Sequence, residues 1–452
     1  MATAEYTYSY LTPSTVREQN GRAEVSLATS GGRAPNPYFF TGFLAGPRQT
    51  AQALLVVAEV ARTRYYDPPS MVAARIAAAD PVVTSNLDRL RFESFSACAG
   101  VYARLDLEPG VLDGRPREWG TTNVDFNPPM RAALARVHDD EAMLMHVGHD
   151  EVRVETIAGA AVEKKVPLPE RWLKGFAEVQ VASAHMVLRH ELPTVEARRF
   201  LQSLPRAKSR TVAWATPAGR GLRLSSRPDD AAVCLAGPER LRLLEKLLPF
   251  ATALRVYGPL PARDRGAEPA VWELELSGAR IVFALSPELF RGFSGEGGVL
   301  ADLASADEAV VDEIAKTLHG EPVIDVEEVS LLTGVERTSV QTALGALGAA
   351  GRVGYDLAQS AFFHRELPYD RGMLDKMHPR LLGARELVEQ GAVRLDDDGG
   401  ATVRSGDADY LVRVEDGVAR CTCAWFAKHG GERGPCKHVL AVEHVHRSAR
   451  VA

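Results

Sequence analysis

Helical and strand periodicities are mixed along the first half of the chain. "PRQTAQALLVVAEVARTRYYDPP" sets Pro47 at a helix start, follows it with an apolar stretch at helical spacing, and stops at Pro68-Pro69. Strand-like runs come next in "GVYARLDL", "TTNVDFN" and "EAMLMHVGHDEVRVETIAG". In "TTNVDFNPP", Thr122, Val124 and Phe126 alternate with Asn123, Asp125 and Asn127, and Asn127 is placed to cap a helix beginning at Pro128. Two helical stretches, "PERWLKGFAEVQVASAHM" and "TVEARRFLQSL", lead into the basic, polar "PRAKSR". A boundary is placed there, which gives an N-terminal α+β domain over residues 1–205.

From Thr211 the pattern changes to short strands. In "VWELELSGARIVFAL", Trp272, Leu274 and Leu276 alternate with Glu273 and Glu275, and Ser277-Gly278 supplies the hairpin turn. "CLAGPERLRLLEKLLPFATALRVY" reads strand, helix, strand, so residues 206–303 are expected to form a second α+β domain with hairpins. After it, Ser305 and Glu308 stand at capping-box spacing, with Val310, Ile314 and Leu318 on one helical face. Asp325 and Glu328 repeat the device, and Gly334 turns the chain into a helix whose Val340, Leu344 and Leu347 share a face. "VGYDLAQSAFFHR" then supplies two short strands. Three helices with a tight second turn and a hairpin resemble a winged helix-turn-helix, predicted over residues 304–367. The last segment, 368–452, adds the helix "HPRLLGARELVEQ" and hairpins with acidic-Gly turns. The fold class is therefore α+β and multidomain.

Charge and apolar content narrow the function. A formal net charge of -6 argues against coating nucleic acid over the whole surface. The most apolar stretch, "TAQALLVVAEVA", is too short to span a bilayer, and the N-terminal residues show no secretory pattern. A cytoplasmic protein that works away from membranes is expected. In that reducing setting, clustered cysteines point to metal before disulfide.

Three of the five cysteines lie within "CTCAWFAKHGGERGPCKH". Cys421 and Cys423 form one close pair, and Cys436 and His438 form another, over a motif spanning 421–438. Two close pairs separated by a loop can close a tetrahedral site around one Zn²⁺, because each pair supplies two ligands. Four protein ligands leave no position for water, so the zinc is expected to be structural. On a strand, Cys421 and Cys423 would point to the same side; Gly434-Pro435 suits a helix start that places Cys436 and His438 in its first turn. His429 lies in the loop as a competing ligand without a paired neighbour.

The C-x-C, loop, C-x-H order resembles the SWIM zinc finger at all four ligand positions, with Ala424 where many relatives carry proline. "RFESFSACAGVYARLDL", "GTTNVDFNPPMRAALARV" and "FSGEGG" make the whole chain similar to the long bacterial SWIM-finger proteins. The resemblance implies a C-terminal ββα finger with one structural zinc, in a module that meets DNA or protein. It also implies a protein partner such as a MoxR-type AAA+ ATPase or a von Willebrand factor A protein. A protein-interaction adaptor or subunit is the expected function.

DNA binding is the alternative. Residues 417–452 carry a net +4, and Arg433 and Lys437 of the finger, with Arg337 of the third helix, are the candidate nucleic-acid contacts. The helix opening at Arg337 offers only Thr338, Ser339 and Gln341 besides, then turns apolar, which suits docking better than base readout. The cluster Arg198, Arg199, Arg206, Lys208 and Arg210 reads as a solvated linker. An enzyme in the N-terminal half is a distant third: Arg104 and Asp106, with the polar face of Asn123, Asp125 and Asn127, could line a pocket. Cys98 lacks a nearby histidine, and neither an acid/base pair nor an open metal site stands out, so catalysis is not expected.

Overall fold

A computed structural model of the chain describes residues 15–19, 22–26, 38–65, 81–260, 266–288 and 306–367, parts of 292–303, and 378–451, apart from internal breaks of one to three residues. Strands β1 (Thr15–Gln19) and β2 (Arg22–Ser26) pair with each other. A five-stranded antiparallel sheet runs β11 (Gly159–Lys164), β10 (Glu151–Thr156), β9 (Leu144–Gly148), β3 (Tyr38–Leu44), β7 (Leu112–Pro116). The largest sheet has eight strands in the order β12 (Met186–Pro193), β16 (Ala251–Pro259), β17 (Ala270–Leu276), β18 (Ala279–Leu285), β6 (Val101–Leu107), β5 (Leu90–Phe95), β4 (Val82–Ser85), β8 (Gly120–Asn123). A three-stranded sheet, β14 (Gly221–Ser225), β13 (Val212–Ala218), β15 (Val233–Ala236), lies beside it.

Local signals set several of these elements. Helix α1 spans Pro47–Arg62 with proline in its first turn, as its pattern predicts; the Pro68-Pro69 stop lies outside the described residues. Helix α2 (Pro128–Ala135) is capped by the Asn127 side chain, which accepts the Met130 N–H at 3.2 Å. Helices α3 (Glu170–Ala184) and α4 (Thr194–Ser203) follow their apolar periodicity. The β17–β18 hairpin turns at Ser277-Gly278, where Gly278 takes φ 68°. The segment between β15 and β16 is a 3₁₀ helix, Pro238–Leu247.

The boundary expected after residue 205 does not divide the fold. β6 pairs with β18 from Val101↔Leu285 to Leu107↔Ala279, so the expected first and second domains share one sheet. One face of that sheet is apolar: Phe92, Leu105, Leu254, Trp272, Leu274 and Phe283 are buried with α1, α4 and the 3₁₀ helix. The opposite face carries charge. Arg91, Glu93, Arg104, Asp106 and Glu273 are at most 3 % exposed, although their alternation marks a polar face.

Helix α3 covers the apolar part of this face through Trp172, Phe176 and Val179, and the segment after Ser305 covers the charged part. Helices α5 (Glu308–Thr317), α6 (Val326–Thr333) and α7 (Arg337–Ala349) are followed by the hairpin β19 (Val353–Asp356)–β20 (Ala361–His364). Asp307 and Asp325 cap α5 and α6 with side-chain oxygens. Ser305, the expected cap, lies outside the described residues. Asp356 of the hairpin bonds the Arg280 guanidinium at 3.0 and 2.8 Å and lies within 3.3 Å of Arg104. Phe363 lies 3.9 Å beneath the Arg91 guanidinium, and Arg365 pairs with Glu93 at 2.6 Å. The hairpin is therefore packed on the sheet through ions and the Phe363 ring, with Leu357 and Tyr355 adding apolar contact.

The C-terminal part begins with α8 (Pro379–Glu389) and a four-stranded antiparallel sheet, β21 (Val393–Leu395), β22 (Gly400–Ser405), β23 (Ala408–Glu415), β24 (Val418–Cys421). It ends in α9 (Ala424–His429) and α10 (Lys437–Val451). Among the described residues, no helix is long and apolar enough to cross a membrane.

Candidate metal centre

Two ligand pairs reach one point from different elements. Strand β24 ends at Cys421, which pairs with Val412 and faces the buried side of the sheet. The expectation that Cys423 continues this strand is corrected. The chain leaves the ladder after Cys421, and Cys423 becomes the N-cap of α9, its Sγ accepting the Phe426 N–H at 3.4 Å. Across the loop, Gly434 (φ 73°) lets the chain pass against Gly297, where a Cβ would fall 2.2 Å from a carbonyl oxygen. Cys436 then precedes α10 and His438 lies in its first turn.

The four ligand atoms lie within 4.8 Å of one another, and every one of the residues is buried. Cys421 Sγ and His438 Nδ1 are 3.7 Å apart. A tetrahedral ion at ~2.3 Å from sulfur and ~2.0 Å from nitrogen requires ligand separations of roughly 3.5–3.8 Å, so the spacing fits zinc. Nδ1 is thus the ligating nitrogen. Nε2 is buried with no protein partner, while the imidazole stacks on Tyr410 at 4.3 Å and 20°. The thiols are poised unequally: the bond from Cys421 pulls Cys436 down to about 4 against the cost of its burial, helped by His438 and the Val439 N–H. Donating that bond, and burial, push Cys421 up. With zinc bound, both sulfurs serve as thiolates and the ion supplies the positive charge. His429 is outside the cluster, its ring tilted on Trp425 at 4.2 Å.

Residues 410–446 match the family model of the SWIM zinc finger. This segment is a SWIM zinc finger. Its Cys421, Cys423, Cys436 and His438 are suited to one zinc ion. Among solved structures the chain is similar to proliferating cellular nuclear antigen from Entamoeba histolytica, at 10 % identity and a TM-score of 0.35, over 56 % of this chain and 99 % of that one. No curated protein sequence matches the chain.

The SWIM finger is built into the molecule. Leu440, Val442, Cys423 and Cys436 share a core with Ala177 of α3, Val299, Leu300 and Ala349 of α7. Arg380 of α8 donates to the Arg433 and Pro435 carbonyls at 2.8 and 2.9 Å and lies 4.4 Å over the Trp425 ring. The role of Arg380 carried no local sequence signal, since its hydrogen-bond partners lie 53 and 55 residues away.

The three candidate nucleic-acid contacts are not gathered into one open surface. Arg433 is half-buried and lies 3.5 Å from Glu288. Lys437 is half-buried, with its aliphatic stem over Gly383. Arg337 is exposed at the start of α7 and faces Glu327 at 3.8 Å. A different pair was legible but missed: Arg413 and Arg420 stand opposite each other on the outer face of β23–β24, beside exposed Leu411 and Val418. The alternation in "YLVRVEDGVARC" marks both. Of the suggested N-terminal pocket residues, Arg104, Asp106 and Asn127 are otherwise engaged. Arg104 holds Asp106 at 2.9 Å inside the charged layer, and Asn127 caps α2. Cys98 is buried, with its Sγ 3.4 Å from Ser96 Oγ.

Proposed function

We propose that this chain is a non-catalytic protein-interaction subunit whose zinc fixes the shape of the finger instead of taking part in chemistry. The observation that carries the reading is the position of the β19–β20 hairpin. In a DNA-reading winged helix the hairpin and the last helix stay free to meet the duplex. Here Phe363, His364 and Arg365 are at most 1 % exposed against the eight-stranded sheet. The winged-helix reading of residues 304–367 is kept as a protein-docking domain. Its charge agrees: residues 305–367 hold eleven acidic side chains against four Lys and Arg, a sign that repels phosphate.

An AAA+ ATPase or a von Willebrand factor A protein is the proposed partner, in the cytoplasm. Capture of such an ATPase from a co-expressing cell by the wild-type chain, lost in Cys436→Ser, is the expected result. Capture that ignores Cys436→Ser would remove the finger from the interaction. A second reading, nucleic-acid binding by the finger, is favoured by one feature: residues 417–452 carry a net +4 in an otherwise acidic chain. A salt-dependent shift of duplex DNA that disappears in Arg413→Glu/Arg420→Glu would support it, and its absence at low salt would dismiss it.

A further inference from the structure

The stretch that holds "FSGEGG" reaches from the sheet to the finger. At one end the Phe293 N–H donates to the Ala99 carbonyl at 2.8 Å, and the Phe293 ring is buried with Phe95 of β5 and Phe176 of α3. At the other end Val299 and Leu300 are buried in the core that contains Cys423 and Cys436. The Val299 N–H donates to Glu178 of α3 at 3.3 Å. Gly297 stands between these two anchors in the chain.

Gly297 meets the finger main chain to main chain. A Cβ on Gly297 would fall 2.2 Å from the Arg433 carbonyl oxygen and 3.0 Å from Arg380 Nη2. From the other side, a Cβ on Gly434 would fall 2.2 Å from the Gly297 carbonyl oxygen. Protein interiors leave no room for such an approach, so both positions require glycine. Arg380 holds the same loop by its bonds to the Arg433 and Pro435 carbonyls. The loop is thus fixed from two directions, and Pro435 is joined directly to the Cys436 ligand.

A side chain on Gly297 would have to drive the Arg433 carbonyl away by about 1 Å to reach an ordinary carbon–oxygen contact. A binding constellation keeps its geometry only while its groups are held to within about 0.5 Å. We propose that Gly297 is a positioning residue of the zinc site: its main chain, anchored on the sheet and on α3, sets where Cys436 stands. The metal affinity of the finger is therefore fixed in part from outside the finger. The resemblance of "FSGEGG" to other chains then has a physical basis in one close approach.

The test uses the full chain with Co²⁺ in place of zinc, because the visible bands of cobalt report the geometry of a tetrahedral sulfur–nitrogen site. Zinc affinity is measured beside it by competition with a chelator. In Gly297→Ala the cobalt bands should shift or weaken, and zinc should bind about 10–100-fold more weakly. Gly110→Ala, where a Cβ meets nothing within 4 Å, should match wild type in both. The metal-free forms of wild type and Gly297→Ala should unfold at the same urea concentration, because without metal the finger no longer presses on Gly297. Gly434→Ala should weaken zinc as well. In the double variant the loss should be smaller than the two losses combined, since one displaced loop relieves both clashes. A wild-type cobalt spectrum with zinc affinity within about twofold of wild type in Gly297→Ala would overturn the proposal. So would a metal-free Gly297→Ala chain that is itself unstable or unfolded, which would make Gly297 a general packing residue, or losses that add in full.

Discussion

The charged layer under the β19–β20 hairpin and the cluster at Cys421 bury polar groups in opposite ways. In the layer, Arg104, Arg280 and Arg91 surround Asp106 and Asp356, and each charge finds its counter-charge within the protein. In the cluster, three sulfurs and one imidazole nitrogen converge on a point where the protein supplies no cation. The first arrangement is complete when the chain folds and joins two modules. The second is complete only with a metal, so its stability depends on something outside the chain. A layer of internal ion pairs adds little net stability over apolar packing, but losing one member leaves its partners exposed to the full cost of burial. A structural zinc contributes folding energy directly.

Metal removal should therefore give the largest effect. Apparent binding energies of structural zinc in finger peptides are about 10–16 kcal/mol, more than a small sheet and two short helices can replace. Cys436→Ser, or chelation, is expected to abolish zinc in elemental analysis and to deprotect α10 and β23–β24 in hydrogen exchange. Because Ala177, Leu300 and Ala349 share the finger's core, their neighbours should also lose protection, while the eight-stranded sheet keeps its own. Full protection of α3 and α7 after chelation would show that the finger is independent.

Within the charged layer, Asp356→Ala should cost about 3–5 kcal/mol, since it leaves three buried guanidiniums to share Asp106, as a shift in urea midpoint would show. Asp356→Asn should cost less, by keeping hydrogen bonds. Replacing Arg280, Asp356 and Arg104 together by apolar residues should recover much of the loss. If the single and the triple variants are equally unstable, the layer is held by something other than charge pairing. The Arg104 and Arg280 guanidiniums, opposed by the cost of burial, hold the Asp356 carboxyl far below the usual range. Its contribution is present above the unfolded carboxylate value of about 4 and is lost as pH falls below that.

His378 shows a third way to bury a polar group. At the start of α8 it is 7 % exposed, its Nε2 has no protein partner, and burial, with Lys174 and Arg380 nearby, lowers it to about 4. A base whose folded value lies below its unfolded value near 6.5 stabilises fully above that pH and loses the contribution as pH falls from about 6.5 towards 4. The loss is at most roughly 3 kcal/mol. His378→Gln should flatten the urea midpoint over that window; an unchanged pH profile would assign the slope elsewhere.

The two polar regions also differ in how far the sequence reveals them. The zinc ligands fall within one short motif, and their side-chain chemistry restricts what they can do together, so the residues alone pointed to the site. The route of Cys423 was missed because a strand and a helix cap both bring sulfurs together at that spacing. The charged layer was hidden by distance. Arg104 and Asp356 are separated by some 250 residues, and Glu273 alternates with Trp272 and Leu274 as any solvent-facing residue of a hairpin does. Alternation tells which face differs, not what covers it. The same limit explains the boundary near residue 205: the polar stretch there marks a surface turn, while the β6–β18 pairing that joins both sides leaves no trace in either segment.

The smallest expected effect separates a charge that holds the finger from one that merely sits beside it. Arg433 lies 3.5 Å from Glu288, each about one quarter exposed, so solvent screens the pair and Glu288→Gln should cost no more than about 1 kcal/mol. Arg380 makes two charge-assisted bonds to main-chain carbonyls of the finger loop and covers Trp425; Arg380→Lys cannot keep this geometry. Zinc release to a competing chelator should be faster in Arg380→Lys than in Glu288→Gln, because the carbonyls of Arg433 and Pro435 adjoin the Cys436 ligand. If both variants release zinc at the wild-type rate, the loop is positioned by the Gly297–Gly434 contact, and neither side chain controls the metal.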